Sequence, residues 1–341
     1  MTALALIAAC LSVAAVTYVA TGLLIRQLRR WAVLDHPNLR SSHTLPTPRG
    51  GGLAVVTVVV SAWATFPWLA DTPLPPPTLS PILAGIGLAL LSWFDDLGGL
   101  PPAVRLAAQV VAVSTAVFLP ADPGPYFAGA LPPGIDQLAA LWIWVWFVNL
   151  FNFMDGIDGM AGGETAAIGA GVAVVAAVAG LGDDLIFAGL TLAAAAIGFL
   201  GWNWHPARIF LGEVGSIPIG FLVGWLLLEL ARRGQPEAAL ILPLYYLTDA
   251  SVTLGRRLIR GERPWRAHRE HFYQRAVSGG LSHSTVVRHV LAANALLVGL
   301  AAVAAAGRPA PSVAGAIVVV ASLLLFLVGR QRRPPAADPG R

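Results

Sequence analysis

Apolar residues run along this chain in blocks of about twenty, with the polar residues gathered between the blocks. Within a block the apolar positions are continuous rather than alternating, so they read as helices and not as the strands of a barrel. A helix of about 20 residues crosses a hydrocarbon core about 30 Å thick with every backbone group satisfied internally. With Gly and Pro as punctuation, the pattern predicts spans near 2 to 24, 52 to 70, 79 to 94, 103 to 120, 137 to 152 and 161 to 180. Five more follow near 184 to 202, 215 to 231, 237 to 254, 286 to 306 and 312 to 329. The expected fold is all-α, a polytopic bundle of about eleven transmembrane helices. One membrane domain covers 1–329, with polar loops at 25–51, 95–102, 152–160, 203–214 and 255–285 and a short tail at 330–341.

Composition agrees with that pattern. Of 341 residues, 56% are hydrophobic and only 12% charged, against about a quarter charged in a soluble domain. The one cysteine, Cys10, lies in the first apolar block, which excludes an intramolecular disulfide and a cysteine metal cluster. Ile7 to Cys10 loosely resembles a lipoprotein cleavage site, but no basic residue precedes the apolar core, so an uncleaved first span is expected.

All 22 basic residues are arginine, and their distribution sets the orientation. One set of loops holds only Arg232, Arg233 and Arg308. The other holds the remaining nineteen, including Arg26, Arg40, Arg49, Arg105, Arg208 and the cluster from Arg256 to Arg288. This places the N-terminus outside and the C-terminus in the cytoplasm. The net charge of +4 therefore reports topology, and no nucleic-acid partner is expected.

Carboxylates then carry the chemistry, because one at mid-bilayer costs about 2.5 to 3.5 kcal/mol. Asp95 and Asp96 end the third span. Asp155 and Asp158 follow the fifth in Asn149-Leu-Phe-Asn-Phe-Met-Asp-Gly-Ile-Asp-Gly159. Glu213 sits in Phe210-Leu-Gly-Glu-Val-Gly-Ser216 before the eighth, and His268 and His271 lie in the loop before the tenth. The arginine rule puts all of these on one face, whereas Asp71, Asp122, Asp136, Asp183, Asp184 and Glu237 fall on the other. Hard oxygens beside clustered cations suit Mg²⁺-dependent phosphoryl transfer. Asn152 and Asp155 share a face if their helix continues, although the same pattern also serves as a helix C-cap. Glu213 reads either as a metal ligand or as an acid stabilised by a helix N-terminus. Arg105 is placed to pair with a phosphate or with Asp96, or to act as a positive-inside anchor. Trp142, Trp144 and Trp146 read as belt and packing residues, or as the lining of a lipid groove. His36, His43, His205, His283 and His289 read as interfacial.

Taken together, Asp35-His-Pro to His43, Pro46-Thr-Pro-Arg-Gly-Gly-Gly52, Asp95-Asp96, Asn149 to Gly159, Pro206 to Ser216 and Ala267-His-Arg-Glu-His-Phe-Tyr-Gln-Arg275 resemble the motifs of one family. The chain is similar to the polyprenyl-phosphate N-acetylhexosamine-1-phosphate transferases, the membrane glycosyltransferase family 4 that includes the enzyme making lipid I. The histidine motif looks more like the branch that initiates O-antigen and other surface polysaccharides than like the lipid I synthase. The resemblance implies transfer of an N-acetylated hexosamine 1-phosphate from a UDP-sugar to undecaprenyl phosphate, with release of UMP, at the cytoplasmic face of the bacterial inner membrane. It implies Mg²⁺ as cofactor, with Mn²⁺ an alternative, and leaves room for an oligomer. By the same carry-over Asp95 deprotonates or orients the lipid phosphate with support from Asp96. Asn152, Asp155 and Glu213 surround the metal, Asp158 contacts the uracil, and Arg105, His268, Arg269 and His271 hold the diphosphate and sugar. The chain departs at Glu213, where the family has Asp, and the extra methylene displaces the ligand oxygens by over ~1 Å. Two rival readings are a multi-span transporter, which would place its acids near mid-bilayer on broken helices, and a CDP-alcohol phosphotransferase, whose closely spaced aspartates are not matched here.

Overall fold

The computed structural model describes residues 1–37, 45–71, 76–119, 124–127, 129–263 and 268–330. Its helices are α1 (Ala3–Arg30), α2 (Gly52–Ala70), α3 (Pro76–Gly98), α4 (Pro102–Phe118), α5 (Pro133–Phe153), α6 (Met160–Ala179) and α7 (Asp183–Asn203). There follow α8 (Glu213–Arg232), α9 (Pro236–Ile241), α10 (Leu244–Ile259), α11 (Phe272–Ser278), α12 (His283–Ala305) and α13 (Pro309–Gly329). A two-stranded antiparallel ribbon, β1 (Leu34–Asp35) and β2 (Thr47–Pro48), lies between α1 and α2 in the chain, with Leu34 opposite Pro48. Of the described helices, nine are long and apolar enough to cross a membrane, namely α1 to α3, α5 to α8, α12 and α13. Helix α4 is apolar but shorter, at 17 residues. The architecture is the all-α polytopic bundle that the hydrophobic pattern predicts.

One expected span differs. The stretch 237 to 254 is not one helix, because α9 ends at Ile241 and α10 begins at Leu244. Pro243 sits in the gap, where it has no N–H to donate and its ring collides with a carbonyl four residues back. Past the break, α10 turns Tyr245, Asp249 and Thr253 inward at helical spacing, a polar stripe that a uniform apolar span would not carry.

Helix α8 is the hub of the bundle. Every residue from Val214 to Ala231 is buried, and α2, α3, α5, α6 and α9 all pack on it. Trp144 of α5 donates its indole N–H to the Phe221 carbonyl at 2.9 Å and stacks on the Phe221 ring at 4.7 Å between centroids. Trp142 is exposed and Trp146 half-buried, so the tryptophan series divides by helical direction and its buried member serves packing. Helices α6 and α7 touch backbone to backbone, since a Cβ on Gly169 would lie 2.7 Å from the Gly189 carbonyl. Small residues at such a crossing replace side-chain contact with close van der Waals packing, the means by which helices associate in lipid.

The loops between these helices sort to the two ends of the bundle. One end gathers the segments 45–52, 95–105, 152–160, 203–216 and 268–283, tied to one another by the hydrogen bonds described below. The other gathers Met1, Asp183, Asp184, Glu229, Arg232 and Arg233. Arg40, His43, Asp122, Arg266 and the tail from 331 onward lie outside the described residues.

Candidate active site

The floor of the site is backbone. Phe210 donates its N–H to the Pro48 carbonyl at 2.8 Å, and Gly51 and Gly52 donate to the Phe210 and Leu211 carbonyls at 2.9 and 2.8 Å. This pairing brings two motifs separated by about 160 residues side by side at the N-termini of α2 and α8. Gly52 is required there, because a Cβ would fall 1.9 Å from the Gly215 Cα.

Asp95 and Asp96 follow one another on α3 and so point in different directions. Asp96 turns to α8 and accepts the N–H groups of Glu213 and Val214 at 3.0 and 2.9 Å, capping that helix from outside. Arg49 holds the same carboxylate at 2.6 Å. Asp95 turns to α4 and accepts the Leu100 N–H on Oδ1 at 2.5 Å, while Arg105 stands 3.3 Å from its Oδ2. Arg105 therefore pairs with Asp95, and not with Asp96 as one sequence reading allowed. It also grips both oxygens of Glu213, at 2.8 and 2.7 Å. Arg49 reaches Glu213 at 3.7 Å, so two guanidinium groups and three carboxylates form one cluster.

At the end of α5, Asn152 accepts a hydrogen bond from the Ser216 hydroxyl at 2.6 Å, which joins this helix to the start of α8. The expectation that Asn152 and Asp155 share a helical face is corrected here, since α5 ends at Phe153 and Asp155 lies in the following loop. Gly159, at φ 79°, caps the start of α6 after this loop. Among the described residues no hydrogen bond or ion pair reaches the Asp155 carboxylate. Burial pushes it up to about 8, opposed by Arg49 and reinforced by Asp96 and Asp158. Asp158 behaves in the opposite sense. Burial alone would raise it, but hydrogen bonds from His283 and His205 and from the Ala207 N–H hold it below the usual carboxylate range. His205 Nδ1 lies 2.6 Å and His283 Nδ1 3.3 Å from the same oxygen.

The histidine motif divides in two. His268 and Arg269 line a cavity of about 680 Å³ with Arg257, Glu262 and Glu270. Burial, His271 and Arg257 push His268 down to about 4, and its Nδ1 accepts the Glu270 N–H at 3.3 Å. His271 is buried beside α10, where its Nδ1 lies 3.0 Å from Asp249 and its Nε2 has no partner among the described residues. Asp249 also accepts the Phe272 N–H at 3.1 Å and the Tyr245 hydroxyl at 3.1 Å. From the same short helix, the Tyr273 hydroxyl donates to the Phe153 carbonyl at 3.1 Å, which sets α11 against the Asp155 loop.

The chain matches the model of glycosyl transferase family 4 over residues 78–231, which spans α3 to α8 and seven of the ten expected site residues. A phospho-N-acetylmuramoyl-pentapeptide-transferase of Moorella thermoacetica is 31% identical, over 62% of this chain and 71% of that one. The chain belongs to glycosyl transferase family 4. Other family members extend the likeness over nearly the full length. A decaprenyl-phosphate N-acetylglucosaminephosphotransferase of Mycolicibacterium smegmatis is 28% identical over 96% of this chain and 89% of its own. An undecaprenyl-phosphate alpha-N-acetylglucosaminyl 1-phosphate transferase of Escherichia coli O157:H7 is 26% identical over 88% and 83%.

Within this family 4 chain, a divalent cation fits the donor set. Asn152, Asp155 and Glu213 offer side-chain oxygens, the kind that Mg²⁺ prefers, and the half-buried Asp155 carboxylate accepts no hydrogen bond among the described residues. Sequence reasoning did not single out Arg49, Asp249, His205 or His283 as site residues. Arg49 was legible as the one charge inside the Pro46 to Gly52 motif. Asp249 was legible as an acid inside an expected span, an expensive placement that marks a role. Nothing in local spacing signals that His205 and His283 converge on Asp158.

Proposed function

We propose that the protein transfers an N-acetylated hexosamine 1-phosphate from a UDP-sugar to a polyprenyl phosphate, releasing UMP and beginning a lipid-linked surface glycan. In this reading a phosphate oxygen of the lipid attacks the sugar-bearing phosphorus, and the bond to the bridging oxygen of UMP breaks. The observation that carries it is the Asp155 carboxyl, which accepts no hydrogen bond among the described residues and feels the charges of Arg49, Asp96 and Asp158. Asn152, Asp155 and Glu213 would hold Mg²⁺, which supplies charge neutralisation for the diphosphate. Glu213 has to share Arg105 with that ion, because both of its oxygens already face the guanidinium.

Asp95 is suited to receive the lipid phosphate. Its Oδ2 is buried and accepts no hydrogen bond, and Arg105 beside it would move from carboxylate to phosphate oxygens. Asp96 serves the site by holding α8 and Arg49 in place. Asp158, locked by its two histidines, presents its remaining capacity to the donor base. The placement at helix ends lets a headgroup phosphate and a soluble nucleotide meet. The N-acetylglucosamine specificity in the names of two relatives, together with the His268 to Gln274 motif, supports an amino-sugar donor without peptide. A panel of UDP-sugars tested with undecaprenyl phosphate, scored by UMP release, is expected to give turnover with an N-acetylhexosamine donor. The absence of UMP release with every donor would overturn the reading.

A further inference from the structure

Three donor atoms from three different loops point at one spot beside the proposed reaction centre. Asp158 comes from the turn between α5 and α6, His205 from the segment after α7, and His283 from the first position of α12. The carboxylate oxygen and the two imidazole nitrogens all lie within 4.8 Å of one another. Four-coordinate zinc holds its ligands at about 2.0 to 2.1 Å, which sets neighbouring donors roughly 3.3 Å apart. Of the observed separations from Asp158 Oδ2, that of His283 at 3.3 Å matches this value and that of His205 at 2.6 Å is shorter, so His205 would move outward on binding.

The arrangement is fixed from behind. The Ala207 N–H donates to Asp158 Oδ2 at 3.1 Å, and Asn203 accepts the Gly159 N–H at 2.9 Å while donating to the Ile209 carbonyl at 2.9 Å. His283 Nδ1 lies 3.4 Å from the Asp158 amide nitrogen as well as 3.3 Å from the carboxylate oxygen, so this ring atom is held against Asp158. His283 and Asp158 are buried, but the His205 side chain is 38% exposed, which gives an ion a route in and leaves a coordination position open to water.

We propose that Asp158, His205 and His283 form a binding site for a transition-metal ion of the Zn²⁺ type, and that an ion bound there blocks transfer by withdrawing Asp158 from the nucleotide. Two imidazoles and one carboxylate select zinc, cobalt or nickel over magnesium, so the site differs in chemistry from the all-oxygen set at Asn152, Asp155 and Glu213. Binding replaces the hydrogen shared between imidazole and carboxylate, and any proton displaced goes to solvent. The binding half stands without the transferase reading, and the inhibitory half rests on it.

The test uses the untagged full chain in detergent with Mg²⁺ in excess, titrated with Co²⁺ and followed by its d–d absorption. The wild-type protein is expected to bind one Co²⁺ in a low-coordinate nitrogen and oxygen site, and His205→Gln to weaken binding at least ~10-fold. His283→Gln, checked for folding by its melting curve, is expected to do the same. Absence of the cobalt bands in wild type, or equal affinity in wild type and His205→Gln, overturns the site. In a second arm Zn²⁺ is added to the transfer assay, each protein being normalised to its own zinc-free rate. Inhibition of His205→Gln should need at least ~10-fold more Zn²⁺. Equal inhibition of both proteins overturns the inhibitory half. Loss of all transfer without zinc overturns the transferase reading and the inhibitory half together, while the cobalt titration still decides the site.

Discussion

At the end of the bundle away from the site, Arg233 holds Asp184 through two nitrogens at 3.0 and 2.5 Å and donates to the Leu181 carbonyl at 2.7 Å. Glu229 takes two hydrogen bonds from Arg232, at 3.0 and 2.7 Å. Asp136 accepts the N–H groups of Tyr126 and Phe127, and the amine of Met1 sits 2.6 Å from Asp183. The end with the candidate site carries most of the arginines and is less completely paired. Among the described residues the Asp155 carboxylate accepts no hydrogen bond, and Arg105 Nε and His271 Nε2 are buried without one. Buried polar groups in native proteins are nearly always satisfied, so several orphans in one place mark where a ligand completes the structure. The two ends differ both in their share of arginine and in unmet hydrogen-bonding capacity.

The widest test of that contrast removes an unpaired acid. Asp155→Asn and Asp95→Asn are each expected to leave the protein folded in the membrane and to lower formation of lipid-linked sugar by at least ~100-fold, measured with labelled UDP-sugar in membranes. Retention of full activity by either variant would remove its assigned role.

The next effect is one of pH. A carboxyl near 8 when folded, against about 3.9 when unfolded, binds its proton more tightly in the folded state. Its stabilising contribution is therefore present at low pH and is lost as pH rises through about 8 in the ion-free protein. Mg²⁺ bound to the carboxylate should reverse that loss. The rise in melting temperature on adding Mg²⁺ is expected to be larger at about pH 9 than at about pH 6, and to flatten in Asp155→Asn.

A smaller change is expected at Glu213. Asp in its place shortens the reach to Arg105 but keeps an oxygen ligand, so Glu213→Asp should retain Mg²⁺-dependent transfer with a shifted Mg²⁺ requirement, read from an Mg²⁺ titration of the rate. Inactivation would mean that the site is built around glutamate. The smallest effect on transfer belongs to the satisfied end. Asp184→Asn should cost roughly 1 kcal/mol of stability and leave the rate within about twofold of wild type. A large loss of rate would erase the contrast between the two ends.

Much of this was legible from the residues in order. Runs such as Val55 to Ala64 and Ala188 to Phe199 declare helices wherever they occur, and the positions of Asp95, Asp155 and Glu213 between such runs place them at helix ends. The break at Pro243 was only partly open to reading, since proline disfavours a helix interior yet Pro81 and Pro218 lie inside α3 and α8. Less legible was the division of labour between Asp95 and Asp96. Adjacent in sequence, one faces α4 and the other caps α8, and which does which depends on where those helices lie. His205 and His283 looked interfacial because nothing near either in sequence is acidic. Glu164, buried on α6 and bonded to Asn294 of α12 at 2.7 Å, stood in plain view as an acid inside an apolar run.

The sequence by itself determined the elements that are local and additive: which segments are apolar helices, and which loops carry oxygen ligands and cations. Transfer from water to lipid is summed residue by residue along one segment, so no knowledge of neighbours is needed. Only the tertiary structure decided which charges neutralise each other and which stay unpaired. A hydrogen bond or ion pair acts over a few ångströms, and the partners of Asp96, Asp158 and His271 lie tens of residues away or more along the chain.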